Sequence, residues 1–384
     1  MRILIGLTYY RPHYSGLTIY TERLARTLAA RGHEVTVLTS RFDPQTPEVE
    51  TRDGVKIVRA KVALRLSKGV IMPSMAAKAL GLIRSADVVN LHVPQLDAAY
   101  LALISRWMGK PVVLTYHCDL RLPKGLINVL ANLGSDLANR ISAGAANVIV
   151  TNTRDFAENS SFLRGYLNKV EPVLPPVELP AVAAEDLAAF RQKYNIQPGE
   201  KIIGINARLA TEKGVEYLVE AMPAVLERYP TARVLYVGQH KNVFGEEEYA
   251  RRLEPLIQTL DGHWTFLGVV TPQEQVAFFN VCDVTVLPSI NSTESYGMVQ
   301  VESMFCGTPV VASDLPGVRH AVRTTGMGKI VPPRDAASLA KAILEVLDRP
   351  EEFQGDVPAI KRRYQSDTTA SAYEAIFEEL APAK

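Results

Sequence analysis

Residues 2–38 read RILIGLTYYRPHYSGLTIYTERLARTLAARGHEVTVL. The run Arg2–Leu7 is almost wholly apolar, which is typical of a parallel strand buried on both faces. Apolar residues then recur at four-residue intervals and predict a helix with one apolar face: Tyr20, Leu24 and Leu28. Gly32 ends that helix, and residues 35–38 predict the next strand. This strand–helix–strand unit indicates a doubly wound parallel α/β sheet.

The same pattern continues along the chain and divides it in two. Apolar runs predict further strands at 55–58, 88–92, 112–116 and 148–151, with a helix at 96–108. Residues 172–180 contain four prolines and predict an extended linker. A second strand–helix series begins at Lys201–Asn206. We therefore expect two Rossmann-like domains, 1–174 and 175–362, facing across a ligand-binding cleft, with the helix of 363–384 packed back on the first domain.

Composition excludes several classes of protein. The 384 residues include 42 Lys and Arg against 41 Asp and Glu, and 47% are hydrophobic, which excludes a disordered chain and a general polyanion binder. Residues 1–180 carry 22 cations against 14 carboxylates, and the remainder carries 20 against 27, which favours two domains with different partners.

The location of the protein is predicted from what the sequence lacks. No apolar run reaches 18 residues, and the N-terminus turns polar too soon for a signal peptide. The three cysteines have no metal-ligand spacing and favour a reducing compartment: Cys118, Cys282 and Cys306. We expect a cytoplasmic protein with no bound metal.

The strongest motif carries two carboxylates. Glu294 and Glu302 are eight residues apart, about two turns if the whole segment is helical. The backbone amides of Tyr296, Gly297 and Met298 would lie at a helix N-terminus, a ready site for an anion, and Ser295 is a further donor-binding candidate. Carboxylates can bind sugar hydroxyls, and backbone amides can bind phosphate. Their combination in one segment suits a nucleotide-sugar. The alternative is a solvated helix with two ordinary glutamates.

This segment resembles the signature of retaining GT-B glycosyltransferases of family 4, Glu-x7-Glu followed by Cys-Gly-Thr-Pro-Val-Val-Ala-Ser at 306–313. The resemblance covers essentially the whole chain and is clearer in the C-terminal half. It implies a GT-B fold and transfer of a hexose-type sugar, with retention, from a nucleoside-diphosphate sugar to an acceptor hydroxyl. It also implies that Glu294 orients the sugar and stabilises transition-state charge, and that Glu302 holds the ribose hydroxyls.

Two cations precede this motif on a strand-to-helix loop. Arg208 and Lys213 suit a diphosphate, since arginine binds oxygens bidentately and lysine supplies a compact charge. Basic residues at helix starts are common, so this spacing alone is weak. In register with the two glutamates, the pair resembles the family's diphosphate-binding pair. That resemblance implies neutralisation of the leaving nucleoside diphosphate without a metal ion or other cofactor.

The N-terminal half carries further matches. The family often has a Gly-Gly pair after the first strand, where this chain has Gly16 followed by Leu17, with Tyr14 close by as a candidate acceptor residue. His117 and Asp119 match a His-x-Asp element at a strand end. By resemblance, His117 contacts the outer hydroxyls of the sugar or the acceptor, and Asp119 lies near the acceptor. A structural histidine and a plain turn are the alternatives.

Two shorter matches concern the nucleoside. Gly238 begins a segment in which relatives often show Gly-x-Gly, and His240 replaces the second glycine. Residues 267–270 match a segment whose backbone often meets the nucleobase, which makes Val270 a candidate contact. Each alone is ordinary strand-end sequence.

The acceptor is predicted from basic apolar segments. Between Asp53 and Asp87 there is no carboxylate but there are seven cations: Lys56, Arg59, Lys61, Arg65, Lys68, Lys78 and Arg84. Apolar residues are interleaved with them, and residues 120–134 are also apolar and acid-free. Such segments favour an anionic membrane surface. We therefore expect a lipid or lipid-linked acceptor, or an acceptor glycan; a solvated face above an ordinary core is the alternative.

Two rival functions remain open. One is a different GT-B-like enzyme, such as a nucleotide-sugar epimerase or an inverting transferase. The other is a non-catalytic nucleotide-sugar sensor. A nucleic-acid partner is not expected, because the net charge is +1 and no recognised module is present. The nucleobase, the sugar, the acceptor and the oligomeric state are left open.

Overall fold

A computed structural model describes residues 1–66, 69–120, 126–260 and 262–381. The chain divides into two compact units. The first unit is Met1–Val177 with Tyr364–Lys384, and the second unit is Glu178–Arg363.

The first unit contains an eight-stranded sheet and a two-stranded hairpin. Its strands are β1 (Arg2–Gly6), β2 (Glu34–Arg41), β3 (Val49–Arg52), β4 (Val55–Lys61), β5 (Leu64–Leu66), β6 (Gly69–Ile71), β7 (Val88–Val93), β8 (Val112–Tyr116), β9 (Val148–Thr151) and β10 (Val170–Pro172). The sheet order is β10-β9-β8-β7-β1-β2-β4-β3, and β3 is antiparallel to β4 while the other pairs are parallel. The hairpin pairs β5 with β6.

The helices of the first unit pack on this sheet. They are α1 (Gly16–Ala30), α2 (Ser74–Ser85), α3 (Ala98–Trp107), α4 (Leu126–Ala145), α5 (Arg154–Asn159) and α14 (Ser366–Leu380). The predicted first strand and helix are confirmed. Ile3 and Ile5 on β1 are fully buried, and α1 buries the predicted apolar face. The Ser15 hydroxyl accepts a hydrogen bond from the Thr18 amide and caps α1.

The C-terminal helix α14 belongs to the first unit. Tyr373 and Phe377 on α14 are fully buried. Glu374, on the same helix, accepts from Arg31 and lies 2.7 Å from His33 Nε2. Buried aromatic rings and one cluster of charged groups therefore attach this helix.

The second unit contains a six-stranded, wholly parallel sheet. Its strands are β11 (Ile202–Asn206), β12 (Arg233–Val237), β13 (Trp264–Gly268), β14 (Val284–Leu287), β15 (Val310–Ser313) and β16 (Gly328–Val331). Its helices are α6 (Ala184–Lys193), α7 (Val215–Arg228), α8 (Glu247–Gln258), α9 (Pro272–Val281), α10 (Met298–Phe305), α11 (Arg319–Thr325), α12 (Ala336–Asp348) and α13 (Val357–Tyr364). The sheet order is β13-β12-β11-β14-β15-β16.

Both sheets reverse direction in their strand order, as doubly wound sheets do. In the first sheet the reversal lies where β7 pairs with β1, and in the second where β14 pairs with β11. Between the end of β10 and the start of α6 the chain forms no helix or extended strand, as the prolines of 172–180 predict. The predicted fold class, two doubly wound α/β domains, is confirmed.

Candidate functional site

The loops after β11 and β14 lie at the switch point of the second sheet, where ligands of such sheets bind. The loop after β11 carries Arg208 and Lys213, and the loop after β14 carries Glu294. The two loops are joined by a backbone hydrogen bond of 3.0 Å from the Ile290 amide to the Glu212 carbonyl. The structure therefore brings three of the predicted residues of the second unit to one edge of its sheet.

Lys213 and Glu294 form an ion pair at this edge. The distance from Lys213 Nζ to Glu294 Oε2 is 2.5 Å, and the side chains are 20% and 13% exposed. The Ser289 hydroxyl lies 3.5 Å from the same carboxylate oxygen. Gly214, directly after Lys213, has φ +61°, and a Cβ there would lie 2.3 Å from the Pro288 carbonyl oxygen. A glycine therefore permits the close approach of the two loops.

Arg208 lies on the same loop and is accessible. Its side chain is 47% exposed, and its Nη2 lies 3.3 Å from Glu212 Oε1. The loop is fixed by buried Glu246, whose Oε2 accepts from the Thr211 amide at 3.0 Å and from the Thr211 hydroxyl at 2.8 Å. Sequence reasoning did not single out Glu246, because its partner lies 35 residues away and no motif marks it.

Glu294 lies outside the helix of its motif. Helix α10 begins only at Met298. The segment from Glu294 to Glu302 is therefore not helical throughout, and the two glutamates are not two helical turns apart. Gly297 precedes the helix with φ +76°, and a Cβ there would lie 2.3 Å from Leu287 Cδ2. The chain turns at Gly297 because glycine adopts this conformation without a clash. The amide of Met298 is the first of α10, whereas Tyr296 and Gly297 precede the helix. An anion site at this helix N-terminus stays a prediction.

The rest of the motif is buried. Ser295 and Tyr296 are buried, and Gln300 Nε2 donates to the Tyr296 carbonyl at 2.5 Å, which holds the turn in place. Glu302 is 4% exposed and accepts from Gln275 Nε2, on α9, at 2.9 Å. Glu302 therefore already has a polar partner inside the second unit.

The strand ends of β12 and β13 form the neighbouring part of this edge. Gly238 has φ +125°, and a Cβ there would lie 2.1 Å from the Ala207 carbonyl oxygen. The His240 ring stacks on Phe266, with centroids 4.3 Å apart. Burial lowers the pKa of His240 and favours the neutral ring. Val270, the predicted nucleobase contact, is half-buried just beyond β13.

In the first unit, His117 follows β8 and lies beside His92 of β7. The distance from His117 Nε2 to His92 Nδ1 is 2.9 Å. The rings of Tyr20 and His117 pack edge to face. Burial lowers the pKa of His117 to about 3. His117 is therefore a neutral side chain at neutral pH.

Asp119 has an anchoring role in the structure. Its Oδ1 accepts from the Tyr116 hydroxyl at 2.9 Å and from the Ser160 hydroxyl at 2.6 Å, and the residue is buried. These bonds attach the segment after β8 to Ser160, directly after α5. Its placement near an acceptor stays a prediction.

The loop after β1 contains the other predicted residues. Gly16 is the first residue of α1. Tyr14 is 69% exposed, and the Arg11 guanidinium lies 3.9 Å from the centre of its ring. Arg11 is also paired with Glu22. A contact between Tyr14 and an acceptor remains a prediction.

The predicted basic surface of 56–84 requires a correction. Arg59 is 2% exposed and its Nη2 pairs with Glu50 at 2.5 Å, so this cation lies inside the unit. Lys78 is paired with Glu48. Lys68 and residues 121–125 of the predicted 120–134 segment lie outside the described residues. Arg59 is buried and the partly exposed Lys78 is paired, because strand β3 and the segment before it supply the carboxylates of Glu50 and Glu48.

The described residues contain neither a group of metal-ligand side chains nor a helix that could cross a membrane. Across 1–66, 69–120, 126–260 and 262–381, no three His, Cys, Asp or Glu side chains are grouped as metal ligands would be. Within the same ranges, every helix is too short or too polar to cross a bilayer.

Two doubly wound α/β units are the architecture of the GT-B fold, and the comparisons with known proteins give the class. Residues 187–357 match the family model "Glycosyl transferases group 1", and residues 15–175 match "Glycosyl transferase 4-like domain". The chain belongs to the group 1 glycosyltransferases, of the family 4 type, and is a transferase of sugars. The resemblance drawn from the Glu-x7-Glu segment is thereby confirmed.

Several individual proteins are similar to it. A D-inositol 3-phosphate glycosyltransferase of Pseudarthrobacter chlorophenolicus is 28% identical, with 87% of this chain and 82% of that protein covered. A phosphatidyl-myo-inositol mannosyltransferase of Mycolicibacterium smegmatis is 27% identical, with 94% and 89% covered. The structure of Anabaena HepE in complex with UDP-glucose matches with TM-score 0.75 and 20% identity, covering 99% of this chain and 100% of that one.

Proposed function

We propose that this chain is a retaining, metal-independent hexosyltransferase that uses a nucleoside-diphosphate sugar as donor and an acceptor hydroxyl. The observation that carries the proposal is the Lys213–Glu294 pair at the switch point of the second sheet, with Arg208 on the same loop as Lys213. A cation pair suited to a diphosphate and a carboxylate suited to a sugar are then held on two joined loops.

The donor site is assigned within the second unit. Arg208, Lys213 and the amides of 295–298 bind the diphosphate, and Glu302 binds the ribose hydroxyls. The segment after Gly238 and the backbone at Val270 bind the nucleobase. The UDP-glucose bound to HepE supports a nucleotide-sugar as the class of donor.

Lys213 has a double role in this proposal. An ammonium group carries three donors, so Lys213 can keep its bond to Glu294 and still reach a phosphate oxygen. Glu294 thereby lies a fixed distance from the leaving group, where it orients the sugar and stabilises the positive charge of the transition state. Arg208 and Lys213 take the neutralising task that a metal ion performs in other transferases.

The acceptor is proposed to be a lipid or lipid-linked hydroxyl compound. The two inositol-related relatives support a hydroxyl-rich acceptor, and for one of them that acceptor is phosphatidyl-myo-inositol. In the first unit, Gly16 would approach the donor phosphate, His117 would contact a hydroxyl of the sugar or acceptor, and Tyr14 and Asp119 would lie near the acceptor.

Exposed residues of 56–84 support contact with an anionic membrane. Leu64 and Ile71 are a cross-strand pair of the β5–β6 hairpin, and their side chains are exposed. Lys56, Lys61 and Arg84 are exposed as well. Apolar side chains flanked by cations favour the surface of an anionic bilayer.

A ligand panel tests the donor site. We expect one of UDP, GDP and ADP to raise the melting temperature, equally with magnesium and with EDTA, because ligand binding stabilises the native state. Lys213→Ala should lose the shift and Lys341→Ala, an exposed lysine on α12, should keep it. A shift that requires magnesium would refute metal independence. Binding without any turnover would favour the sensor.

The stereochemistry and the membrane contact need separate measurements. Proton NMR of the product formed from an α-linked donor should show an α-linkage; a β-linkage would refute retention.

In a co-sedimentation assay, the protein should bind phosphatidylglycerol vesicles and should not bind phosphatidylcholine vesicles. The double variant Leu64→Ser, Ile71→Ser should lose this binding, while Leu256→Ser, an exposed leucine of the second unit, should keep it. Equal recovery on both vesicles would remove the membrane proposal.

A further inference from the structure

A row of hydrogen-bonded polar side chains runs through the interior of the first unit from His117 to helix α14. His92 lies 2.9 Å from His117, Asn90 Oδ1 lies 2.9 Å from His92 Nε2, and Asn90 Nδ2 donates to the Thr115 hydroxyl at 2.9 Å. The Thr115 hydroxyl lies 2.9 Å from the Tyr373 hydroxyl. His92 and Asn90 are fully buried and have no part in the function proposed above.

The direction of these bonds is set by a backbone carbonyl. Asn90 Nδ2 lies 3.2 Å from the Val113 carbonyl oxygen, which only accepts hydrogen bonds. The amide nitrogen of Asn90 must therefore face β8, and its oxygen must face His92 Nε2. Because this oxygen also only accepts, His92 must carry its proton on Nε2.

The same reasoning passes from His92 to His117. Burial lowers the pKa of both rings well below the usual range, so each ring carries one proton at neutral pH. His92 Nδ1 is then an acceptor, and its neighbours are His117 Nε2 at 2.9 Å and the Thr21 hydroxyl at 3.0 Å. Thr21 donates its proton to the Leu17 carbonyl at 2.9 Å, which leaves His117 Nε2 as the donor.

We propose that Asn90 and His92 are positioning residues that hold His117 in the Nε2-protonated tautomer, so that Nδ1 offers a lone pair to a substrate hydroxyl. This inference rests on the substrate contact proposed for His117. In this tautomer the His117 N–H at Nε2 is used by His92, and Nδ1 can only accept a hydrogen bond, so Nδ1 suits a hydroxyl group and repels a phosphate or carboxylate oxygen.

The tautomer is measurable in the full-length protein without substrate. Long-range nitrogen–proton NMR of the ¹⁵N-histidine-labelled chain separates protonated from unprotonated ring nitrogens, and His117→Gln identifies the His117 signals. We expect a protonated Nε2 and an unprotonated Nδ1. The opposite pattern, or an even mixture, would overturn the proposal. Because the readout needs no turnover, it stays decisive even where the transfer reaction itself is disproved.

Variants of His92 connect the tautomer with catalysis. His92→Asn places an amide oxygen near the position of Nδ1 and keeps an acceptor for His117, while His92→Leu removes it. We expect His92→Leu to mix the His117 tautomers and lower kcat by about tenfold, the loss of roughly one hydrogen bond. His92→Asn should recover most of this loss, and neither variant should change nucleotide affinity in the second unit.

Tyr373→Phe is the control for stability. It removes the last hydroxyl of the row but leaves the Val113 carbonyl that orients Asn90. We expect a lower melting temperature with an unchanged His117 spectrum. If Tyr373→Phe alters the tautomer as much as His92→Leu does, or if His92→Asn and His92→Leu lose the same activity, the row is only structural and the proposal is wrong.

Discussion

The two sheets of this chain place different chemistry at the same topological position. In the second sheet, the loops beyond β11 and β14 carry an ion pair, Lys213 with Glu294, and the half-exposed cation Arg208. In the first sheet, β7 lies beside β1 at the reversal of strand order, and its His92 is buried, neutral and hydrogen-bonded to His117.

The difference follows from what surrounds each group. Charged side chains are tolerated where they have partners and some water, whereas burial penalises the charged form of a histidine and favours the neutral ring. The second sheet thus offers charges suited to phosphates, and the first offers neutral groups suited to hydroxyls. A doubly wound sheet sets where functional loops lie, and the residues on those loops decide which part of a substrate they suit.

The largest effect is expected from the charged site. Lys213→Ala removes the cation proposed to neutralise the leaving diphosphate, and we expect turnover to fall by roughly 10²–10³-fold, as for the loss of one electrostatic donor. The matched control Lys341→Ala should keep wild-type turnover. Initial rates with saturating donor measure both. Wild-type rates for Lys213→Ala would show that the ion pair is structural.

The backbone at the charged site should be the next most sensitive feature. In Gly297→Ala, φ +76° becomes strained and the new Cβ meets Leu287, so we expect the free energy of unfolding to fall by about 2 kcal/mol. Gly81→Ala, in the exposed interior of α2 with open space around it, should instead stabilise by about 0.5–1 kcal/mol. Urea unfolding measures both, and equal effects would contradict the special role of Gly297.

The neutral site should respond to pH. Burial lowers the folded-state pKa of His117 to about 3, so between pH 6.5 and that value the unfolded chain binds a proton that the native ring does not. The free energy of unfolding should therefore fall on acidification, by up to about 1.4 kcal/mol per pH unit for this group. His117→Gln should make that dependence shallower.

Urea unfolding at pH 7, 6 and 5 tests this prediction. The wild type and His117→Gln should differ most in slope between pH 6 and pH 5. Lys341→Ala should keep the wild-type slope, because it removes no buried histidine. Parallel curves for the wild type and His117→Gln would mean that the native ring takes up its proton over the same pH range as the unfolded chain, which would contradict a pKa lowered by burial.

Much of this contrast could be predicted from local patterns. The buried strand Arg2–Gly6 and the helix after it follow from runs of apolar residues, and the Glu-x7-Glu segment indicated the family. The start of α10 could not be predicted, because it depends on a positive φ at Gly297, at a point where a Cβ would also meet Leu287.

The long-range partners were beyond local patterns. His92 meets His117 only because β7 and β8 pair in a register that places Val93 beside Tyr116. Arg59 reads as a surface cation in a basic segment, yet β3 returns antiparallel to β4 and brings Glu50 to it. Such contacts depend on the order in which strands pair, and this order cannot be derived from the spacing of residues along the chain.

The smallest effect is expected where a surface charge and buried hydroxyls attach the same helix. Arg31→Met removes the ion pair with Glu374, and we expect a loss of at most about 1 kcal/mol in the free energy of unfolding, which about 1 M NaCl should abolish by screening. Tyr373→Phe removes bonds to Tyr20 and Thr115, and its loss of about 1–2 kcal/mol should be insensitive to salt. If both losses disappeared in salt, the buried row would be solvated, and the neutral character assigned to the first sheet would be wrong.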